Sequence, residues 1–480
     1  MGISDATRLA QPIRFVHRGR VREIRGVDPN TTVLEWLRMA AGLTGTKEGC
    51  AEGDCGACTI VLGERHAGRL RYRAVNACIQ FVPTLDGKQL ITVEDLRGQD
   101  GALHPVQRAM VEQHGSQCGF CTPGIVMSLL ALYQSGPPTR AAINDALAGN
   151  LCRCTGYRPI VDAAFAMHGY GKSDHFARAE RETLALLEAI ERESGLAYEA
   201  AGRRYFAPTS EDELASVLER EPEARILAGG TDLALEVTKQ HRDLDALVYV
   251  GGVRDMAGIA RGQTHIEIGA AAPYTDAMTA IGEAYPDFAE LLRRLGSVQI
   301  RNAGTMGGNI ANASPAGDTF PPLAVYQATV RVNGPEGRRI LALSEFFTGV
   351  KKTALKPGEL VESVFLPFPP RKPTRAMFRK VGTRAAQAIS KTMFAGVLWL
   401  KGRKVEEVRL AFGSLAPTVR RLHAAEALLK GRTLDAAAID AAAGLLTSDV
   451  SPIDDIRSTR EYRLAVSRAL LVSFLKGDSR

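Results

Sequence analysis

The chain has 480 residues, 45% hydrophobic and 24% charged. That excludes wholesale disorder, a fibrous repeat and a disulfide miniprotein, and at about 150 residues per domain it predicts about three domains. Lys and Arg number 60 against 53 Asp and Glu, a net charge of +7 with no dense basic block, so neither a nucleic-acid nor a membrane partner is expected. The opening Met1–Arg8 has no apolar leader core, because Asp5 interrupts it, and Ala6 departs from the myristoylation pattern. No run approaches about 18 apolar residues, and a cytoplasmic chain is expected.

In chain order, Ile13 and Phe15 alternate with polar neighbours and the chain turns near Arg18-Gly19, which predicts a hairpin. Thr31-Thr32 precede a helical stretch over Val33–Arg38. Cys58–Leu62 and Leu90–Val93 read as strands. Helical patterns follow over Pro105–Val111, Pro123–Tyr133, Arg140–Ala148 and Pro159–Met167, three of them opening on Pro, a favoured first helical position.

All eight cysteines lie in this N-terminal third: Cys50, Cys55, Cys58, Cys78, Cys118, Cys121, Cys152 and Cys154. Without an export signal, thiols stay reduced, so ligation is expected over disulfides. The first four are spaced C-x4-C-x2-C-x19-C, the plant-type [2Fe–2S] ferredoxin spacing. Three of them sit in the Gly-rich loop Lys47–Cys58. Glycines there let the backbone wrap tightly, so that N–H groups can face anionic sulfurs. The second four are spaced C-x2-C-x30-C-x1-C and suit either an Fe–S cluster or zinc. His104 and His114 lie near these loops and read as structural, since each set already supplies four thiols.

Residues 171–200 change character: Lys172, Asp174, Arg178, Glu180 and Glu188 belong to a charge-rich run that reads as a solvated connector. Beyond it, Ile226-Leu227-Ala228 reads as a buried strand ended by Gly229-Gly230. Paired glycines let a pyrophosphate approach the backbone, and they also make ordinary turns. A second Gly-rich segment runs from Gly296 to Asp318 and carries Asn302, Asn309 and Asn312. Neither segment matches the G-x-G-x-x-G of a Rossmann site. Val405–Phe412 reads as a strand and Leu422–Lys430 as a helix. No acid/base pair or nucleophile set stands out.

The loops Lys47–Cys58, Gly115–Gly124 and Gly149–Tyr157 resemble those of the molybdenum hydroxylase family, most closely the small Fe–S/FAD subunit of its two-subunit bacterial xanthine dehydrogenases. The resemblance runs over almost the whole chain. It implies a multidomain α+β fold in five parts. These are a β-grasp, ferredoxin-like [2Fe–2S] domain (1–95), a helical-bundle [2Fe–2S] domain (96–170) and a linker (171–200), then a non-Rossmann α+β FAD-binding domain (201–375) and a C-terminal α/β flavoprotein domain (376–480). It makes Cys50, Cys55, Cys58 and Cys78 one ligand set and Cys118, Cys121, Cys152 and Cys154 the other. It places the FAD pyrophosphate on Ile226, Leu227, Ala228, Gly229, Gly230, Thr231, Asp232 and Leu233. Further FAD contacts are implied at Leu295, Thr305, Gly308, Asn309 and Asp318, with Leu360 and Lys380 near the flavin, where a cation would stabilise an anionic reduced ring.

The resemblance also implies what the chain does. Xanthine or hypoxanthine would be hydroxylated at a molybdopterin centre on a large partner subunit, in purine catabolism, within a dimer of heterodimers. Electrons would reach the helical-domain cluster, then the ferredoxin-like cluster, then FAD and NAD+. No substrate-converting residue is expected on this chain. An aldehyde or N-heterocycle hydroxylase is the alternative. The segment Arg379–Ile389 resembles the family's loop beside the flavin, with neutral Ala385, Ala386, Gln387 and Ala388 where animal relatives carry acidic residues.

Overall fold

The computed structural model describes residues 11–98, 100–171 and 174–478. The leader reading at Met1–Arg8 and the charge at Lys172 lie outside the described residues. The chain divides into two units: one runs to Arg254 and takes in Gly296–Gly304, and the other comprises Asp255–Leu295 and Thr305 onward.

In the first unit, β1 (Ile13–His17) and β2 (Arg20–Ile24) form the expected hairpin, with Arg18 and Gly19 both at positive φ. With β3 (Thr59–His66), β4 (Arg69–Asn76) and β5 (Gln89–Ile91) they make a five-stranded sheet in the order β2-β1-β5-β3-β4, parallel only between β1 and β5. This is the β-grasp arrangement. Thr32 caps the crossing helix by accepting from the Glu35 N–H at 3.1 Å. After one α-turn that helix widens into a π-turn over Trp36–Ala40, which no sequence pattern announced. β5 ends at Ile91, short of the expected Val93. Asp95 accepts from the Thr92 N–H and hydroxyl and turns Val93–Asp95 into a 3-10 turn.

Four helices follow: Pro105–Glu112, Thr122–Tyr133, Arg140–Leu147 and Arg158–Ala166. They bury Ile125, Leu129, Leu130, Ile143 and Ile160 in one core. The stretch expected to be a connector holds a helix, Glu180–Ala189, and a strand, β6 (Leu196–Ala200). β6 pairs with β7 (Arg203–Ala207), and β8 (Arg225–Leu227) and β9 (Ala246–Tyr249) complete a sheet ordered β6-β7-β9-β8. β8 is an edge strand, so Leu227 is buried but Ile226 is 38% exposed, which corrects the expectation of a fully buried strand.

In the second unit, β10 (Ile259–Arg261), β11 (His265–Gly269), β12 (Thr329–Gly334), β13 (Gly337–Ala342) and β16 (Leu360–Pro367) form an antiparallel sheet ordered β10-β11-β16-β12-β13. β14 (Phe347–Gly349) and β15 (Lys352–Thr353) make a short ribbon. The strands β17 (Arg375–Val381), β18 (Thr392–Lys401), β19 (Lys404–Gly413) and β20 (Arg420–Arg421) form an antiparallel sheet. Phe394, Phe412, Leu429, Leu471 and Phe474 fill one core, combining that sheet with the helices His423–Leu429 and Arg460–Lys476.

Candidate functional site

The first cysteine loop and Cys78 bring their four sulfurs into a chain of neighbours. Cys50 stands beside Cys55 and Cys78, and Cys78 beside Cys58. The backbone N–H groups of Asp54 and Cys55 each reach Cys50 Sγ at 3.3 Å, as expected of a loop built for anionic sulfur. The loop leaves no room at Gly49, where a Cβ would stand 2.8 Å from Cys55 Sγ. Donation from the Cys55 and Cys78 thiols holds Cys50 well below the ordinary thiol range, while the same contacts and burial push Cys55 and Cys78 far above it. An ionised Cys50 thus suppresses ionisation of Cys55 and Cys78. A cationic centre is what would keep all four deprotonated, so the donor set fits an Fe–S cluster.

The second set also converges. Cys121 neighbours Cys152, and Cys118 neighbours Cys154. Burial, followed by the Cys152 contact, pushes Cys121 up to about 12. Cys152 is partly buried, but the Thr155 hydroxyl, 3.1 Å from its sulfur, and the Thr155 N–H hold it below its usual value. Tyr157, in the left-handed region at φ 68°, accepts from the Cys152 N–H at 2.8 Å. Cys118 and Cys154 are exposed. Among the described residues no three His, Cys, Asp or Glu side chains close around a single metal-ion position; what the cysteines show is contact between sulfurs.

The two loops are fastened together. Leu151 N–H donates to the Cys55 carbonyl at 2.9 Å, and Asn150 Nδ2 donates to the Gly56 carbonyl at 3.2 Å. Gly56 has φ +71°, and a Cβ there would overlap the Gly149 carbonyl. On the other side of the first loop lies the glycine pair of the expected phosphate segment. Gln80, two residues after Cys78, donates to the Gly229 carbonyl at 3.2 Å. A Cβ on Gly230 would stand 2.7 Å from the Ile79 carbonyl oxygen. Thr231 packs near Gly304, Leu227 and Leu233 join the core, and Asp232 is exposed. Ala228 is half-buried.

The other expected flavin contacts lie in the second unit. Thr305 caps the helix Met306–Asn312 by accepting from the Gly308 N–H at 2.9 Å. Asn309 Oδ1 accepts from the Thr319 hydroxyl at 2.9 Å, beside Asp318. Lys380, 4% exposed, bridges to Asp318 at 2.6 Å and donates to the Arg294 carbonyl, next to Leu295, at 3.2 Å. The Ser390 hydroxyl also donates to Asp318. Leu360 is buried at the start of β16, apart in sequence and sheet from Lys380 on β17. Sequence reasoning singled out neither Gln80 nor Ser390, and it read Asn150 and Leu151 only as part of the Gly149–Tyr157 loop, with no role of their own. Their partners lie tens to more than a hundred residues away, and no local spacing marks them.

Four sequence families match the chain: a 2Fe-2S iron-sulfur cluster binding domain over 15–82, a [2Fe-2S] binding domain over 92–165, the FAD binding domain in molybdopterin dehydrogenase over 198–369, and the CO dehydrogenase flavoprotein C-terminal domain over 377–477. The second match favours iron–sulfur over zinc for the helical domain. Similar curated proteins include the xanthine dehydrogenase of Emericella nidulans, 32% identical over 91% of this chain and 36% of its own length. They also include the aldehyde oxidase 2 of Rattus norvegicus, 30% identical over 96% of this chain and 38% of its own. The chain thus spans little more than a third of these relatives. A solved carbon monoxide dehydrogenase chain from Hydrogenophaga pseudoflava is 28% identical, with a TM-score of 0.54, covering 57% of this chain and 95% of that one. A chain of quinoline 2-oxidoreductase from Pseudomonas putida 86 is 25% identical, with a TM-score of 0.53, covering 56% and 94%.

Proposed function

The chain belongs to the molybdenum hydroxylase family, in its iron–sulfur and flavin part, and on that premise we propose that it is the electron-transfer subunit of a xanthine dehydrogenase. One observation carries the reading: the second cysteine loop, the first cysteine loop and the Gly229 segment follow one another through direct hydrogen bonds, Leu151 to Cys55 and Gln80 to Gly229. Cys118, Cys121, Cys152 and Cys154 would hold one [2Fe–2S] cluster, and Cys50, Cys55, Cys58 and Cys78 the other. Ile226–Leu233 would hold the FAD pyrophosphate, with Leu295, Thr305, Gly308, Asn309, Asp318, Leu360 and Lys380 completing the flavin site. When bound, the clusters supply one-electron steps and the flavin supplies delivery of an electron pair with a proton. The protein's own contribution is to fix these groups in order, to bring the thiols together and to place the Lys380 cation.

The domain limits expected near residues 95, 170, 200 and 375 belong to the same proposal. So do a large molybdopterin-binding partner subunit that hydroxylates xanthine or hypoxanthine, a dimer of heterodimers, NAD+ as acceptor, a place in purine catabolism and a cytoplasmic location. Among the described residues no helix is long and apolar enough to cross a membrane. A second reading, an aldehyde or N-heterocycle hydroxylase, is favoured by the near-equal similarity to aldehyde oxidase 2 and by the quinoline 2-oxidoreductase match. The test is anaerobic addition of xanthine to the purified native complex while visible absorbance is followed. Bleaching of the iron–sulfur and flavin bands, with NADH formed on adding NAD+, supports the first reading. Bleaching by an aldehyde or quinoline but not by xanthine supports the second.

A further inference from the structure

Nine residues, Gly296–Gly304, leave their chain neighbours and belong with the first unit. They contain a six-residue helix, Val298–Ala303, capped by Ser297, which accepts from the Ile300 N–H at 3.3 Å. Three side chains of this segment reach separate parts of the iron–sulfur region. Arg301, 2% exposed, pairs with Asp145 of the helix Arg140–Leu147 at 2.6 Å. Asn302 donates to the Ala74 carbonyl on β4 at 2.9 Å. Gln299, fully buried, enters the place where the two cysteine loops meet.

There Gln299 Nε2 donates to Asn150 Oδ1 at 3.0 Å and to Ser128 Oγ at 2.9 Å, and reaches Thr59 Oγ1 at 3.4 Å. The Ser128 hydroxyl donates to the same Asn150 oxygen at 2.7 Å. Two donors on Oδ1 fix which way the Asn150 amide faces. Its Nδ2 must then point to the Gly56 carbonyl, at 3.2 Å, and to Thr59 Oγ1, at 3.3 Å. Gly56 lies between Cys55 and Cys58, and Asn150 lies two residues before Cys152. Ser128, Asn150 and Thr59 are all buried, so these bonds are shielded from bulk solvent. Among the described residues Gln299 Oε1 has no partner, so the contacts of this amide run through its donor side.

We propose that Gln299 is a positioning residue that locks Asn150 across the two cysteine loops and thereby sets the electronic coupling between the two iron–sulfur clusters. The proposal rests on the functional reading above and adds a residue outside both ligand sets. Gln299→Glu keeps the size but presents oxygen to Asn150 Oδ1. That turns the Asn150 amide and sets its oxygen against the Gly56 carbonyl. Gln299→Leu removes the Gln299 amide donor and leaves the Ser128 hydroxyl alone on Asn150 Oδ1.

The test is electron paramagnetic resonance of the dithionite-reduced native complex, together with the rate at which an injected electron equilibrates between the two clusters. Both Gln299 variants are expected to alter the magnetic interaction between the reduced clusters. They are also expected to slow equilibration about tenfold, the lower range for loss of an outer partner of a metal site, with iron and flavin content retained. Arg301→Gln, which breaks the ion pair with Asp145, is expected to lower the melting temperature and leave the interaction unchanged. Wild-type coupling in both Gln299 variants, or the same change in Arg301→Gln, would overturn the proposal. If the wild type itself lacks two interacting cluster signals, the functional reading falls instead.

Discussion

Leu151 donates its backbone N–H to the carbonyl of Cys55 at 2.9 Å, which places residues beside two different cysteine sets in direct contact. One hydrogen bond and one peptide unit separate Cys55 from Cys152. This approach depends on Gly56. Gly56→Ala would put a methyl group on a φ of +71° and into the Gly149 carbonyl. The strained backbone alone costs about 1–3 kcal/mol. A lower melting temperature and loss of iron from the purified protein are expected, measured by differential scanning calorimetry and metal analysis.

Gly229, in the segment proposed to hold the FAD pyrophosphate, makes a comparable approach, since a Cβ there would overlap the Ala303 carbonyl. Gly229→Ala is expected to purify with less FAD than wild type while retaining its iron. The flavin-to-iron ratio after gel filtration reads this directly.

Lys380 and Asp318 form a pair in which the Lys380 side chain is 1% and the Asp318 side chain 10% exposed. Removing one partner of such a pair leaves an uncompensated charge and costs about 3–5 kcal/mol. Lys380→Met is therefore expected to destabilise the second unit and to weaken FAD retention. Asp318→Asn combined with Lys380→Met is expected to recover part of the stability but not the FAD. Denaturant titration and flavin fluorescence separate the two effects.

Asp174 accepts from His104 Nε2 at 2.7 Å, from Gln134 at 2.5 Å and from the Ala177 N–H at 2.7 Å. Burial works to raise its pKa, but the contact with His104 and the two further donors outweigh it and hold the carboxyl below the usual carboxylate value. A group lowered on folding contributes stability that is fully present above its unfolded pKa, about 3.9, and is lost as pH falls through the folded value. Asp174→Ala is expected to cost about 1.5–3 kcal/mol at neutral pH, the range for hydrogen bonds to a charged group. The difference from wild type is expected to shrink below about pH 4, as read from urea unfolding at a series of pH values.

The elements legible in the sequence were those with local determinants. The hairpin turning at Arg18-Gly19 and the four helices from Pro105 to Ala166 carry their own turn residues and caps. The cysteine sets declare themselves by spacing, because three of the four ligands in the first set lie on one loop. The π-turn at Trp36–Ala40 and the exposure of Ile226 were not legible, since helix widening and edge position are settled by packing. The charges from Asp174 to Glu193 masked the strand that follows them, whose identity rests on pairing with Arg203–Ala207. Gln299 sat inside a segment read for phosphate contacts. Its partners Asn150 and Thr59 are 149 and 240 residues away, beyond the reach of any motif.

The central claim is that this chain carries two distinct [2Fe–2S] clusters and one flavin in a connected series. The most direct test is metal and flavin analysis of the native protein, combined with electron paramagnetic resonance after stepwise reduction. The account predicts two separable cluster signals and one FAD per chain, with Cys55→Ser abolishing one signal and Cys152→Ser the other. A colourless protein containing zinc, or a single cluster signal unaffected by Cys152→Ser, would contradict it.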